Sequence, residues 1–397
     1  MLLTIIIFIL VLSILVFVHE LGHFAVAKKF KVKVEEFGIG FSPRIFGWQI
    51  WREPETAIKK WRIIRGNREI IEEDQKFGTV YSLNWLPLGG FVKIKGENGE
   101  EQEDADSFAS HSIWQRFLIL SAGVAMNGVL AMILIIIGFM IGMPQTTGDV
   151  GPSAQISEHK IQIVNVFKDS PASKAELKVG DVIMGIDNQQ FNNYSGLQKY
   201  VAEHSGQKLN YKIKRGSAEI ISQITPEIRQ ETGKGGVGVA ISETGIVKYP
   251  WHIAIWQGIK TTFILIWAIL VAFFELFKGL ILGHGLSAEM AGPVGIAALT
   301  GEVARMGFVY LMQFIALLSI NLAILNFLPF PALDGGRILF LIIEKIKGSP
   351  VKKELENIAH SIGFLLLMLL VVVVTCKDIS RFGNVFKTIW EKIVNKM

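Results

Sequence analysis

The chain has 397 residues, 50% of them hydrophobic and only 19% charged, with a mean hydropathy of +0.41. So apolar a composition excludes an ordinary soluble protein and points to several membrane spans. The net charge of +5 does not mark a nucleic-acid binder, because the basic residues cluster beside apolar runs, where cytoplasmic loops carry them. A single cysteine, Cys376, excludes an intramolecular disulfide and a cysteine-based metal site.

Leu2 to about Ala27 is an apolar run followed by Lys28, Lys29, Lys31 and Lys33. No A-x-A cleavage site precedes His19-Glu20, so the run reads as a retained span with its N-terminus outside and its lysine end in the cytoplasm. Toward that end stands His19-Glu20-Leu21-Gly22-His23. On a helix, positions i and i+4 share a face, so both imidazoles can reach one metal ion while Glu20 reaches its water as general base. A zinc hydrolase needs a third protein ligand and one open position besides. The bland alternative is two interfacial histidines with an unrelated glutamate.

Val34 to Lys95 lacks helical periodicity. Gly38, Gly40, Pro43 and Gly47, and the run Val80 to Ile94, read as short strands and turns. Trp48, Trp51, Trp61 and Trp85 suit a membrane interface. The charged stretch Arg52 to Lys76 reads as a cytoplasmic excursion and Glu97 to Asp106 as a solvated acidic loop. Trp114 to Met143 is the second span, with Gly123 and Gly128 as small packing positions and a polar Asn127. For Asn127 an interhelical hydrogen bond and a role near a metal are equally open.

Gln145 to about Ile246 reads as a soluble domain, with strands around Ile161–Val164 and Leu209–Ile213 and a short helix over Leu197–Glu203. Trp251 to Leu282 is long and apolar but carries Lys260, Glu275 and Lys278. Asp334 must lie on the same side as His19, so this stretch is read as interfacial or re-entrant rather than as a single span. Phe308 to about Leu328 begins another span, broken by Pro329, Pro331 and Asp334-Gly335-Gly336-Arg337 and continued by Ile338 to Ile343. Such breaks are tolerated at membrane depth around a site or cavity. Ile362 to Thr375 is the core of the last span, and Ile379, Phe382, Val385, Phe386, Ile389, Trp390 and Ile393 predict an amphipathic tail helix. A buried Asp334 needs a positive partner: a metal ion held by the histidines, or Arg337 in a structural ion pair.

Over nearly its whole length the chain resembles the site-2 protease family of intramembrane zinc metalloproteases, in its bacterial RseP-type branch. The resemblance rests on His19-Glu20-Leu21-Gly22-His23; on Leu86 to Lys93; on Trp114-Gln115-Arg116 leading into Ala122-Gly123; and on Asn321 to Gly336, which contains NxxPxPxxLDGG. It implies Zn2+ held by His19, His23 and Asp334, with Glu20 as catalytic base. It further implies substrate contacts from Asn326 and from a membrane-associated β-element at Gly89, Gly90, Phe91, Val92 and Lys93. Where the family has Ala-Gly-Pro, this chain has Ala122-Gly123-Val124. Val166 to Ala172, Leu177 to Ile183 and Ile186 to Gln189 resemble one bacterial PDZ domain, with Ala175-Glu176-Leu177 in place of the usual Ala-Gly-Leu.

The expected fold is therefore a polytopic α-helical membrane protein of about four spans, with a membrane-associated β-element and one extracytoplasmic PDZ-like α+β domain. Residues 1–144 form the first membrane half, 145–246 the PDZ domain, 247–307 an interfacial or re-entrant segment and 308–397 the second membrane half. The resemblance implies a bacterial inner-membrane protease that cleaves single-span membrane proteins already trimmed by another protease, such as anti-sigma factors or remnant signal peptides, within the lipid bilayer and without nucleic acid. Two other classes stay open: a non-catalytic PDZ-bearing binder and a transporter with a metal site at mid-membrane. The intact His19, Glu20, His23 and Asp334 argue against the first, and the presence of only one broken helix against the second.

Overall fold

The computed structural model describes residues 2–52, 59–66, 78–97, 103–148, 150–151, 153–191, 193–216, 218–228, 235–283 and 291–394; the side chains at 51–52, 59, 280 and 381–394 lie outside the description. Most of the charged excursion and part of the acidic loop anticipated above also fall outside it. The chain forms two compact units, one of Met1–Ile135, Lys260–Gly307 and Phe314–Met397, the other of Ile136–Ile259 and Phe308–Gln313.

The first unit opens with α1 (Leu2–Lys29), an apolar helix with its two lysines in the last turn. Three strands follow, β1 (Val34–Arg52), β2 (Lys59–Arg65) and β3 (Val80–Ile94), in the order β2-β1-β3. Val34 to Ile39 has partners on both sides, Val80–Leu83 and Gly90–Ile94. Gly90–Ile94 is thus an outer arm of the sheet, and it lies against α1. The bends this requires use Gly40 and Gly89, both at positive φ, where a Cβ is strained. Arg44 and Glu36 form a buried pair, Nη2 to Oε2 2.8 Å, and Asn84 donates to the carbonyls of Ile39 and Gly40, so polar groups inside the sheet are partnered. Trp61 and Trp85 are exposed, as interfacial aromatics should be.

Helix α2 (Ile113–Ile141) runs from the first unit into the second. Later in the chain come α5 (Trp251–Ile281), α6 (Pro293–Met306), α7 (Phe308–Phe327), α8 (Asp334–Lys347) and α9 (Lys353–Val394). Helix α6 packs closely: a Cβ on Gly301 would run into Thr4 of α1, and Gly295 N–H donates to the buried carboxylate of Asp378 on α9 at 2.7 Å. One core gathers Ala27, Val32, Val34, Ile94, Phe108, Ile119, Leu120, Ile338 and Leu341, tying the end of α1, the sheet, the start of α2 and α8 together. Arg116 of α2 and Glu344 of α8 reinforce it, Nη1 to Oε2 3.1 Å.

About four spans were expected. Among the described residues five helices are long and apolar enough to cross a membrane: Leu2–Lys29, Ile113–Ile141, Trp251–Gly279, Phe308–Phe327 and Lys353–Ser380. The added one is α5, a single unbroken helix of 31 residues. Its charges do not interrupt it, because the helical backbone satisfies itself and Glu275 and Lys278 pair at 3.3 Å. The break after α7 is complete: residues 328–333 are irregular, and α8 is a separate helix of 14 residues. The tail backbone continues α9 without a break at Lys377, whereas the side chains of Phe382, Val385, Phe386, Ile389, Trp390 and Ile393 lie outside the described residues.

The second unit contains β4 (Met143–Thr146), β5 (Gln155–Val166), α3 (Pro171–Lys174), β6 (Val182–Ile186), α4 (Tyr194–Glu203), β7 (Leu209–Arg215), β8 (Ala218–Ile224), β9 (Glu227–Ile228), β10 (Gly235–Gly236) and β11 (Val239–Lys248). Six of them form a sheet in the order β4-β11-β5-β6-β7-β8. Its core is set by strand alternation: Leu209, Tyr211 and Ile213 point inward and join Ile161, Ile163, Ile183 and the α4 residues Leu197 and Val201. Ser170 caps α3, its Oγ accepting from Ser173 N at 3.1 Å, and Asn193 caps α4, accepting from Gly196 N at 2.8 Å. Burial raises the Asp181 carboxyl pKa, but hydrogen bonds from Arg215 at 2.7 Å and from Lys178 N outweigh it and hold the group below the usual carboxylate range. Glu176, which replaces the glycine of the Ala-Gly-Leu pattern, sits at φ +56°, a conformation that glycine adopts without strain.

Candidate metal centre and active site

Helix α1 brings His19 and His23 to one face, where both are buried. Gly22 lies on that helix too: a Cβ there would collide with the Ala122 carbonyl of α2, so glycine lets the two backbones touch. Gly123 repeats the device from the other side, since its Cβ would run into the His23 imidazole at Nε2 and into His19 Cε1. Gly128, paired with it in the sequence reading, faces open space and has no such function.

Asp334 arrives from the opposite direction. The irregular residues 328–333 fold back tightly: a Cβ on Gly335 would strike the carbonyls of Phe327 and Leu328, and one on Gly336 the carbonyl of Phe330. Ala332 is held at φ +82°, with its N–H donating to His360 Nδ1 of α9 at 2.9 Å. A strained non-glycine residue held by a neighbour beside a polar cluster is the kind of strain found at functional sites. Asp334 then opens α8, whose N-terminal dipole favours a carboxylate, and Ile338 and Leu341 anchor that helix in the shared core.

The result is a compact trio. Asp334 Oδ2 lies 2.9 Å from His19 Nε2 and 3.4 Å from His23 Nε2, and the two Nε2 atoms are 3.2 Å apart. These three residues could hold a metal ion, with one donor atom from each within 4.8 Å of the others. Two imidazoles and a carboxylate form a donor set suited to zinc with a coordination position left over. Arg337, the other partner considered for Asp334, donates to Glu97 instead of replacing the histidines.

Glu20 points to the sheet: its Oε2 accepts from Val92 N–H at 3.1 Å. The sequence offered no sign of that contact, because it joins a helix residue to a backbone amide 72 positions away. Of the other residues singled out, Asn326 Nδ2 lies 3.4 Å from His19 Nε2, and Asn127 Nδ2 lies 3.4 Å from His19 Nδ1. Gly89 to Lys93 form the arm of β3 that runs beside α1, with Gly89 N–H donating to Ser13 Oγ at 3.2 Å and Lys93 paired with Glu35 at 2.8 Å.

Gly123→Ala is expected to strip bound metal from the purified protein, because the added methyl group occupies the space of the His23 ring, whereas Gly128→Ala leaves metal content unchanged. Elemental analysis of the two variants checks this; equal metal in both would mean the rings can move aside.

Comparisons with known proteins give the family. The model of peptidase family M50 matches residues 7–63 and 57–370. The chain is 32% identical to the regulator of sigma-W protease RasP of Bacillus subtilis, over 95% of this chain and 98% of that one. It is 30% identical to the zinc metalloprotease RasP of Geobacillus kaustophilus, over 96% and 98%. Among solved structures, the PDZ domain of an SdrC-like protein from Listeria monocytogenes matches at 24% identity with a TM-score of 0.19, covering 20% of this chain and 85% of that one. This chain therefore belongs to peptidase family M50 and is a zinc metalloprotease.

Proposed function

We propose that this protein is an intramembrane endopeptidase that cuts the membrane-spanning segment of single-span proteins, with His19, His23 and Asp334 as zinc ligands and Glu20 as general base. The observation that carries the reading is the convergence of three donors, two of them on a helix long and apolar enough to span and the third at the start of α8, with Glu20 one residue from the first ligand. When bound, zinc supplies a Lewis acid that polarises a carbonyl and lowers the pKa of water. Glu20 then accepts the proton of the attacking water and returns it to the leaving amine. Asn326, beside His19, is placed to hold the scissile peptide.

A membrane helix resists cleavage because its carbonyls are already hydrogen-bonded, so the substrate must unwind locally. Freed backbone groups find no partners in lipid. The Gly90–Ile94 arm supplies them by strand addition. The substrate strand competes with Glu20 for the Val92 amide, so docking releases the base from the sheet toward the scissile bond. The Bacillus subtilis relative is named for regulating sigma-W, which favours anti-sigma-like substrates here.

The 145–246 domain is read as PDZ-like and extracytoplasmic, screening out substrates not yet trimmed by another protease. This follows from a bacterial inner-membrane topology with the N-terminus outside and the lysine end of α1, with the metal site near it, toward the cytoplasm. Helix α2 starts at that lysine end and, crossing once, delivers the domain to the other face. Helix α6, which follows α5, packs on Thr4 near the start of α1 and on Asp378. These contacts support reading α6 at the N-terminal face of α1, with α5 making no net crossing and four spans in all.

Glu20→Gln is expected to lower cleavage of a model single-span substrate in membranes by at least about 100-fold, the contribution of a positioned general base, while the protein still folds and binds zinc. Cleavage at the wild-type rate would remove Glu20 from the mechanism. Removing residues 145–246 is expected to let untrimmed substrates be cut, and unchanged selectivity would refute the filter. A cysteine at Gly283 in a Cys376→Ser background is expected to react with a membrane-impermeant thiol reagent added from outside the cell; labelling only after the membrane is opened would make α5 a fifth span.

A further inference from the structure

We propose that Asn127 is a positioning residue that fixes the metal-binding tautomer of His19 through its side-chain amide oxygen. The inference rests on the ligand set proposed above. His19 turns Nε2 toward Asp334, His23 and Asn326, so Nε2 is the atom that donates its lone pair to a metal. A neutral imidazole that gives up the Nε2 lone pair carries its proton on Nδ1. That proton needs an acceptor in a site with no water-exposed alternative, since His19 and Asn127 are both buried and Asn127 is 0% exposed.

The group facing His19 Nδ1 is the Asn127 amide, 3.4 Å away. With its nitrogen toward the ring, two donors would face each other, and Asn127 Oδ1 has no hydrogen-bond partner. A half-turn of the terminal torsion presents Oδ1 to Nδ1–H instead; the two amide orientations differ little in shape, so the hydrogen-bond pattern must choose between them. Loading zinc makes that choice. His23 follows the same rule with a partner that cannot turn: its Nδ1 lies 2.8 Å from the Ile119 carbonyl, which only accepts. Helix α2 thus holds the outer nitrogen of both histidines, one by main chain and one by side chain. Ser319 of α7 donates to the Asn127 carbonyl at 2.8 Å and pins this turn of α2 without touching the ring.

The test is competition for zinc between a chromophoric chelator and purified full-length protein in detergent. Asn127→Leu and Asn127→Ala, which lack an acceptor, are expected to bind zinc 10–100-fold more weakly, and Asn127→Asp, which keeps one, to stay within about threefold of wild type. Ser319→Ala disturbs the helix contact alone and is expected to match wild type. Wild-type affinity in both acceptor-free variants overturns the proposal, as does an equal loss in Ser319→Ala or in Asn127→Asp, because the effect would then be one of packing. His19→Ala separates the two levels. Zinc binding unchanged in that variant refutes the ligand set itself, whereas binding lost there and kept in Asn127→Leu refutes only the role of Asn127.

Discussion

The first unit is organised around the meeting of two histidines of the apolar α1 with the carboxylate that opens α8, three groups that could hold a metal ion. Polar side chains withdrawn from water are costly unless each finds a partner. Here two imidazoles and one carboxylate partner one another within 2.9–3.4 Å, and the outer nitrogen of His23 finds the carbonyl of Ile119. That arrangement needs backbones at close range, which explains why the residues flanking the cluster are glycines. Gly22 and Gly123 bring α1 against α2, and Gly335 and Gly336 let the chain turn sharply enough to aim Asp334 at the same point.

The second constraint is on the substrate. A peptide bond inside a bilayer can be cut only where its own hydrogen bonds have been opened and replaced. On the proposed reading, the Gly90–Ile94 arm beside α1 would provide replacement partners at the place of the chemistry. Its contact with Glu20 links the two parts physically, because the amide that would receive substrate also holds the candidate base. The irregular turn before Asp334 partners part of its own backbone: Leu328, Phe330 and Leu333 N–H donate within the turn and its helix end, and Ala332 N–H donates to His360 of α9.

Much of this was legible from local pattern. HExxH puts two histidines on one helix face with Glu20 beside the first by helical spacing alone, and the prolines and glycines around Asp334 mark a broken helix. Strands near Ile161–Val164 and Leu209–Ile213 of the 145–246 domain follow from alternation. The run at Trp251–Ile281 reads as interfacial or re-entrant from the side on which Asp334 must lie; the structure adds that its backbone is one unbroken helix that carries Glu275 and Lys278 as a pair. Gly123 and Gly128 looked alike in sequence, but only one faces the histidine rings.

The sequence by itself determined that His19 and His23 share one helix face with Glu20 beside them, since a spacing of four along a helix places both imidazoles there without reference to any other part of the chain. It also determined that the chain belongs in a membrane. Only the tertiary structure decided what meets His19, Glu20 and His23 in space: Ile119, Asn127, Asn326 and Asp334 lie 96 to 315 positions from the histidine each faces, and the Val92 amide lies 72 positions from Glu20. Contacts at that separation depend on how helices pack and where glycines let them approach, which no local pattern encodes.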